Sequence, residues 1–183
     1  MQKQKINSLV WFRNNLRVED NSSLTNAINN SDKIIGFINL DPRNFAPTKY
    51  GFKKTEKYRV KFLLESITEL KSQLDKLNIS LIVTHDYLDK SVSKVVEQYE
   101  IKKVFLQTEW TRDELIEESH FPDKIDLIKD FDQFLYSPND VRTLYENIPR
   151  GFSNFRKKCE KYLSVDDILP IPKPLHFENK IPI

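Results

Sequence analysis

Two short stretches hold the side chains best suited to chemistry. Phe12, Arg13, Asn14 and Asn15 follow the apolar run Leu9-Val10-Trp11, and Arg17, Glu19, Asp20 and Asn21 come just after. Thr108, Glu109 and Trp110 follow a second apolar run, Val104-Phe105-Leu106. An ionised Glu109 can accept two charge-assisted hydrogen bonds from the edge of a flat heterocycle, on which the rings of Phe12 and Trp110 can stack. Arg13 and Arg17 can meet a carboxylate or phosphate tail of such a ligand. They can equally pair with Glu19, Asp20 or Asp41 and brace their own turn. On spacing alone a structural alternative stays open, with Glu109 in a salt bridge and Trp110 in the core.

Other familiar constellations are absent. The glycines, Gly36, Gly51 and Gly151, cannot make a G-x-G-x-x-G turn or a P-loop, which excludes a glycine-rich phosphate cradle. His85, His120 and His176 are far apart in sequence, and no Cys/His spacing suggests zinc. The serines show no nucleophile elbow. The single cysteine, Cys159, excludes an internal disulfide framework and reads as a buried thiol. Arg156, Lys157, Lys158 and Lys161 cluster with Phe155 and Tyr162, as a solvated helix face, an interdomain contact or a DNA patch.

The side chains of the two stretches need a scaffold, and 183 residues suffice for one domain with a sizeable core. Five apolar runs read as strands: Ser8–Phe12, Ile34–Leu40, Ser80–Thr84, Lys103–Gln107 and Asp126–Lys129. Helical patterns separate most of them. The clearest places Val60, Leu63, Ile67, Leu70, Leu74 and Leu77 on one face between Tyr58 and Leu77. Shorter helices are expected after Asn21, around Leu88–Tyr99 and around Thr111–Glu118, where Thr111 and Glu114 resemble a capping box. The alternation implies an α/β fold with a doubly wound parallel sheet and helices on both faces. Its ligand crevice would lie between the first and fourth strands, where the order reverses. Phe134 to Val141 reads as an irregular connection, then a short helix near Phe152–Tyr162. The end, Leu169 to Ile183, carries four of the nine prolines and reads as an extended segment running off the domain.

A net charge of +2 gives no argument for nucleic acid, and no apolar run approaches the ~20 residues of a membrane span. The opening Met1-Gln2-Lys3-Gln4-Lys5 lacks the apolar core of a secretory signal, so a cytoplasmic protein is expected.

The run Trp11-Phe12-Arg13-Asn14-Asn15-Leu16-Arg17, followed by Asp20-Asn21, resembles the Trp-Phe-Arg-x-Asp-Leu-Arg opening of the DNA photolyase/cryptochrome family. Asn15 stands where that family has an aspartate. Leu40-Asp41-Pro42-Arg43-Asn44-Phe45 is similar to the segment after the family's second strand, and Lys61-Phe62-Leu63-Leu64-Glu65-Ser66 to its following helix. Leu135-Tyr136-Ser137-Pro138-Asn139-Asp140 and Phe152-Ser153-Asn154-Phe155-Arg156-Lys157 resemble the DASH cryptochrome branch. The resemblance implies strand order 3-2-1-4-5, an antenna-binding domain over 1–165 and a Pro-rich interdomain linker over 166–183. The FAD-binding helical domain would lie outside this chain, which would then carry no catalytic residue. The antenna would be methenyltetrahydrofolate, or alternatively an 8-hydroxy-deazaflavin, in a pocket of Phe12, Arg13, Asn14, Asn15, Glu109 and Trp110. Glu109 would contact the pterin. Implied partners are the helical domain and, through it, damaged DNA, with the protein a monomer serving light-driven repair of cyclobutane pyrimidine dimers. A blue-light signalling or interaction module without repair activity and a free-standing nucleotide-binding domain are the alternatives.

Overall fold

Each expected apolar run becomes a strand, and the three central ones are largely buried by elements on both faces of the sheet. In the computed structural model, which describes residues 6–145 and 147–182, the strands are β1 (Asn7–Trp11), β2 (Lys33–Asn39), β3 (Ser80–Thr84), β4 (Ile101–Gln107) and β5 (Asp126–Asp130). All pair in parallel, in the order β3-β2-β1-β4-β5. Leu9 sits opposite Ile35 and Val104, and Trp11 opposite Phe37 and Leu106. Since successive side chains point to opposite faces, this register makes two cores. Leu9, Trp11, Phe37 and Leu106 pack on one side with Leu88, Val92 and Val95. Val10, Phe12, Ile34 and Phe105 pack on the other with Leu24, Leu70 and Leu74. Met1 to Lys5 and Ile183 lie outside the described residues.

The helices that cover the sheet begin where their caps dictate. Helix α1 (Ser22–Asn30) starts at Asn21, whose side chain accepts from the Leu24 N–H at 2.9 Å. Helix α2 (Lys57–Lys76) buries Ile67, Leu70 and Leu74, whereas Val60 and Leu63 are only half-buried. Its second half therefore packs on the sheet and its first half reaches beyond it. The close approach depends on Gly36 of β2: a Cβ there would lie 3.0 Å from Leu81 and 3.1 Å from Leu74. Helix α3 (Leu88–Gln98) covers the opposite face. The capping box of Thr111 and Glu114 is present at the start of α4 (Arg112–Glu118). Helix α5 (Pro138–Leu144) occupies part of the segment expected to be irregular. Ser137 caps it and Pro138 takes the first turn, where a missing N–H costs nothing. Helix α6 (Phe152–Tyr162) lies where expected. None of the helices among the described residues is long and apolar enough to cross a membrane.

The Pro-rich end is extended but does not run off the domain. The Leu175 N–H donates to the Leu77 carbonyl at 3.0 Å, and Ser80 Oγ exchanges hydrogen bonds with the N–H and carbonyl of Ile181 at 3.0 and 2.9 Å. Asn179 is buried, its side chain accepting from the Ile34 N–H at 2.8 Å and donating to the Ile34 and Asn78 carbonyls at 3.1 and 2.8 Å. The pairing of β2 with β3 starts only at Ile35 with Ser80, so this amide extends the sheet by one residue, as a further strand would. Composition flagged the prolines. The docking comes from these bonds, chief among them those of one asparagine whose amide copies a peptide group, and from Ile181, which enters the core beside α3.

Candidate functional site

The carboxyl ends of β1 and β4 deliver their polar residues to one region, but Arg13 closes the gap between them. Its guanidinium donates to the Gln107 carbonyl at 2.6 Å and pairs with Glu118 of α4 at 2.9 Å, with the Trp11 ring centroid 4.4 Å away. Arg13 and Glu118 are both nearly solvent-free, and Lys129 pairs with the other Glu118 oxygen. A buried carboxylate between two cations is a fixed strut rather than a free ligand contact. Arg17 also braces its turn, through the main-chain carbonyls of Glu19 and Asp20 instead of their carboxylates.

Open space lies on the other side of the β1 exit. A cleft of about 760 Å³ opens at the carboxyl ends of β1 and β2, between α4 and the first half of α2. Phe12, Arg13, Asn14 and Asn15 line it, as expected of a pocket at this edge. Phe12 is 1% exposed and packs mainly in the core beneath α2, so it offers no free stacking face. Asn15 is 2% exposed: its Oδ1 accepts from the Arg13 N–H at 3.3 Å, while its Nδ2 is buried without an acceptor.

Glu109 and Trp110 do not line that cleft. Glu109 is buried behind the same turn, its Oε1 accepting from Asn14 Nδ2 at 3.1 Å and Gln107 Nε2 at 3.2 Å. Both described bonds go to that one oxygen. The half-exposed Trp110 ring stacks on Phe131 at 5.7 Å and meets Phe134 at 5.6 Å. Asn14 thus joins two neighbouring places, a cleft and a carboxylate beside an aromatic cluster.

Sequence reasoning missed several residues of the cleft: Asp41, Phe45, Lys54, Arg59, Phe62 and Glu117. Periodicity assigned α2 wholly to sheet packing and so hid Arg59 and Phe62. Burial favours the neutral form of the Asp41 carboxyl. Hydrogen bonds from the Arg43 side chain and from the Arg43 and Leu88 N–H groups outweigh this and hold it below the usual range. Burial pushes Glu117 the other way, above its ordinary value, against the lowering influence of Arg13.

An open doubly wound sheet with a cleft at its carboxyl edge defines an α/β domain of the kind that holds nucleotides and flat cofactors. A DNA photolyase family model matches residues 8–175, and the chain belongs to that family. Cryptochrome DASH of Gloeobacter violaceus is 33% identical over 172 residues, covering 91% of this chain and 34% of that protein. Cryptochrome DASH of Synechocystis is 30% identical over 177 residues, covering 90% and 36%. The crystal structure of a Synechocystis cryptochrome matches with a TM-score of 0.85 at 29% identity, over 95% of this chain and 38% of that one. An archaeal photolyase from Sulfolobus tokodaii, solved with two FAD molecules, shares the fold at a TM-score of 0.75 and 21% identity. The chain spans only about a third of the length of the curated relatives it matches. It corresponds to the family's amino-terminal α/β domain and is DASH-like.

Proposed function

We propose that this chain is the antenna-binding and scaffold domain of a DASH-type cryptochrome or deoxyribodipyrimidine photolyase. Its part is to hold a light-harvesting chromophore and to seat the helical domain that carries FAD, so that absorbed energy reaches the flavin serving dimer repair in DNA. In this reading it works as a monomer in the cytoplasm, 166–183 leads toward the helical domain, and the catalytic residues lie in that domain. A bound antenna supplies only absorption and energy transfer. The residues here bind it, orient it and keep water from it.

The carrying observation is the pairing of a deep cleft with a buried carboxylate on either side of the turn Phe12 to Asn15. About 760 Å³ is within the range of small-molecule sites. The open cleft, with the cation Arg59 on its wall, fits an 8-hydroxy-deazaflavin with an anionic tail. Glu109, with Trp110 beside it, fits the N–H edge of a pterin such as methenyltetrahydrofolate.

The test is to titrate the chain with each chromophore and follow ligand fluorescence. Ser66 lines the cleft from α2, so Ser66→Trp fills it and should abolish deazaflavin binding while sparing the folate. Glu109→Gln should instead weaken folate binding and spare the deazaflavin. Failure of both chromophores to bind saturably, or binding indifferent to both substitutions, overturns the proposal.

A further inference from the structure

Most of the charged side chains lining the cleft are answered by the protein itself. Asp41 accepts from Arg43 Nε at 2.8 Å and from the Leu88 N–H at 3.1 Å. Asp113 of α4 pairs at 2.8 Å with Lys54, which precedes α2. Glu114 accepts from the Thr111 N–H at 3.1 Å and from its hydroxyl at 2.7 Å. Arg13 is held by Glu118, and Arg17 by the carbonyls of its own turn. Among the described residues two are left over, Glu117 on α4 and Arg59 on the facing α2 wall. No hydrogen bond or ion pair reaches either side chain there, and none joins the two.

The two differ in their surroundings. Arg59 is exposed, so water satisfies it at little cost. Glu117 is half-buried. Burial raises its carboxyl above the ordinary value, and Asp41 and Glu114 add to this while Arg13 and Arg43 act against it. Both arginines are already engaged by other carboxylates and offer Glu117 no hydrogen bond. A part-desolvated acceptor without a donor is unfavourable, and a ligand that brings an N–H relieves it. Exposed Phe62 and half-buried Leu63 give the same cleft an apolar wall for a flat ring.

We propose that Glu117 selects the ligand of this cleft, its carboxylate accepting the ring N–H of a cyclic amide or imide. This rests on the reading of the cleft as a chromophore site, and adds to it an orientation and a rule of exclusion. The N–H edge faces α4. A ring without that N–H seals the carboxylate in with no donor, which costs more than the missing bond. A deazaflavin qualifies through the N–H between its two ring carbonyls. The bond needs Glu117 ionised, so ligand and proton compete for one oxygen. Discrimination by the ring N–H should therefore fade as pH falls through the raised carboxyl value.

The experiment titrates the full chain, by ligand fluorescence, with 8-hydroxy-deazaflavin and with its derivative methylated at the ring N–H. The series runs from neutral pH toward acid. Both ligands share the 8-hydroxyl, so its own titration cancels in the ratio of affinities. The parent chain should prefer the N–H ligand by about tenfold to a hundredfold, the equivalent of one bond to a charged group. That ratio should shrink on acidification. Glu117→Leu should bind both ligands alike at every pH. Glu117→Gln, whose amide oxygen still accepts, should keep a small preference that pH does not move. Both variants should melt no lower than the parent, since each removes a half-buried, unpaired carboxyl. Ser66→Trp separates this claim from the one it rests on. If that variant still binds deazaflavin, the cleft reading falls and selection by Glu117 falls with it. If it does not bind, yet Glu117→Leu keeps the parent's preference, the cleft reading stands and selection by Glu117 is overturned. Equal affinities in the parent chain, or a preference indifferent to pH, overturn it as well.

Discussion

Asn179 provides the sharpest test of how this fold is closed. Replacing it with alanine removes the acceptor of the Ile34 N–H and the donor to the Ile34 carbonyl, and also the bond to the Asn78 carbonyl. Ile34 is 1% exposed and sits where β3 has not yet begun, so its peptide groups have no other strand to turn to. A buried group left unmatched costs about 1–3 kcal/mol. Two such groups, with some water admitted along the exposed tail, give an expected loss of about 3 kcal/mol. That is a large part of the 5–15 kcal/mol by which a typical domain is stable. For a chain of this size it corresponds to a fall in Tm of roughly 6–12 °C. Urea unfolding, with an unchanged m-value, measures it directly. A chain ending at Val165 should lose more, since it also gives up the burial of Ile181, about 1.5–3 kcal/mol for a fully buried side chain. A loss below about 0.5 kcal/mol for Asn179→Ala, within the range of ordinary surface substitutions, would refute the view that the tail completes the sheet.

Glu109→Gln should weaken folate binding by about 2–3 kcal/mol, the range for a hydrogen bond to a charged group, as read by fluorescence titration. Asn15→Asp places a carboxylate at a 2% exposed position where the described donor is the Arg13 N–H. It should destabilise the chain at pH 7 by about 1–3 kcal/mol and much less at pH 3, where the acid is neutral. Equal unfolding midpoints at both pH values would count against it. Burial, and then the Asp132 carboxylate, raise the Asp130 carboxyl above its ordinary value despite the Asn26 hydrogen bond. The unfolded chain then releases this proton first, so stability falls as pH rises through the unfolded value and the penalty is complete above the folded one. Asp130→Asn should therefore raise Tm at pH 7 and leave it unchanged at pH 3, in calorimetric scans at the two values.

Local information in the sequence determined the strands, most helices and the polar turn that lines the cleft. Apolar runs bounded by caps act over a few residues, and Asn21, Thr111 and Glu114 announce their helices within one turn. The aromatic and charged offsets from Trp11 to Asn21 identified the family, because the turn after β1 is one continuous piece of chain. Tertiary structure decided where the open space lies. Arg13 fills the β1–β4 gap because Glu118, 105 residues away, supplies a buried partner, and no local pattern encodes that distance. The same holds for α2. Its heptad-like spacing runs through Val60 and Leu63, yet the sheet ends before that half of the helix and leaves Phe62 and Arg59 to the cleft. Composition marked the tail as a linker by its prolines, whereas Asn179 and Ile181 tie it to Ile34 and Ser80, over 100 residues earlier. Capping and periodicity are short-range and can be read from one segment. Closing a gap, ending a sheet or docking a tail depends on which distant surfaces meet, and only the folded chain sets that.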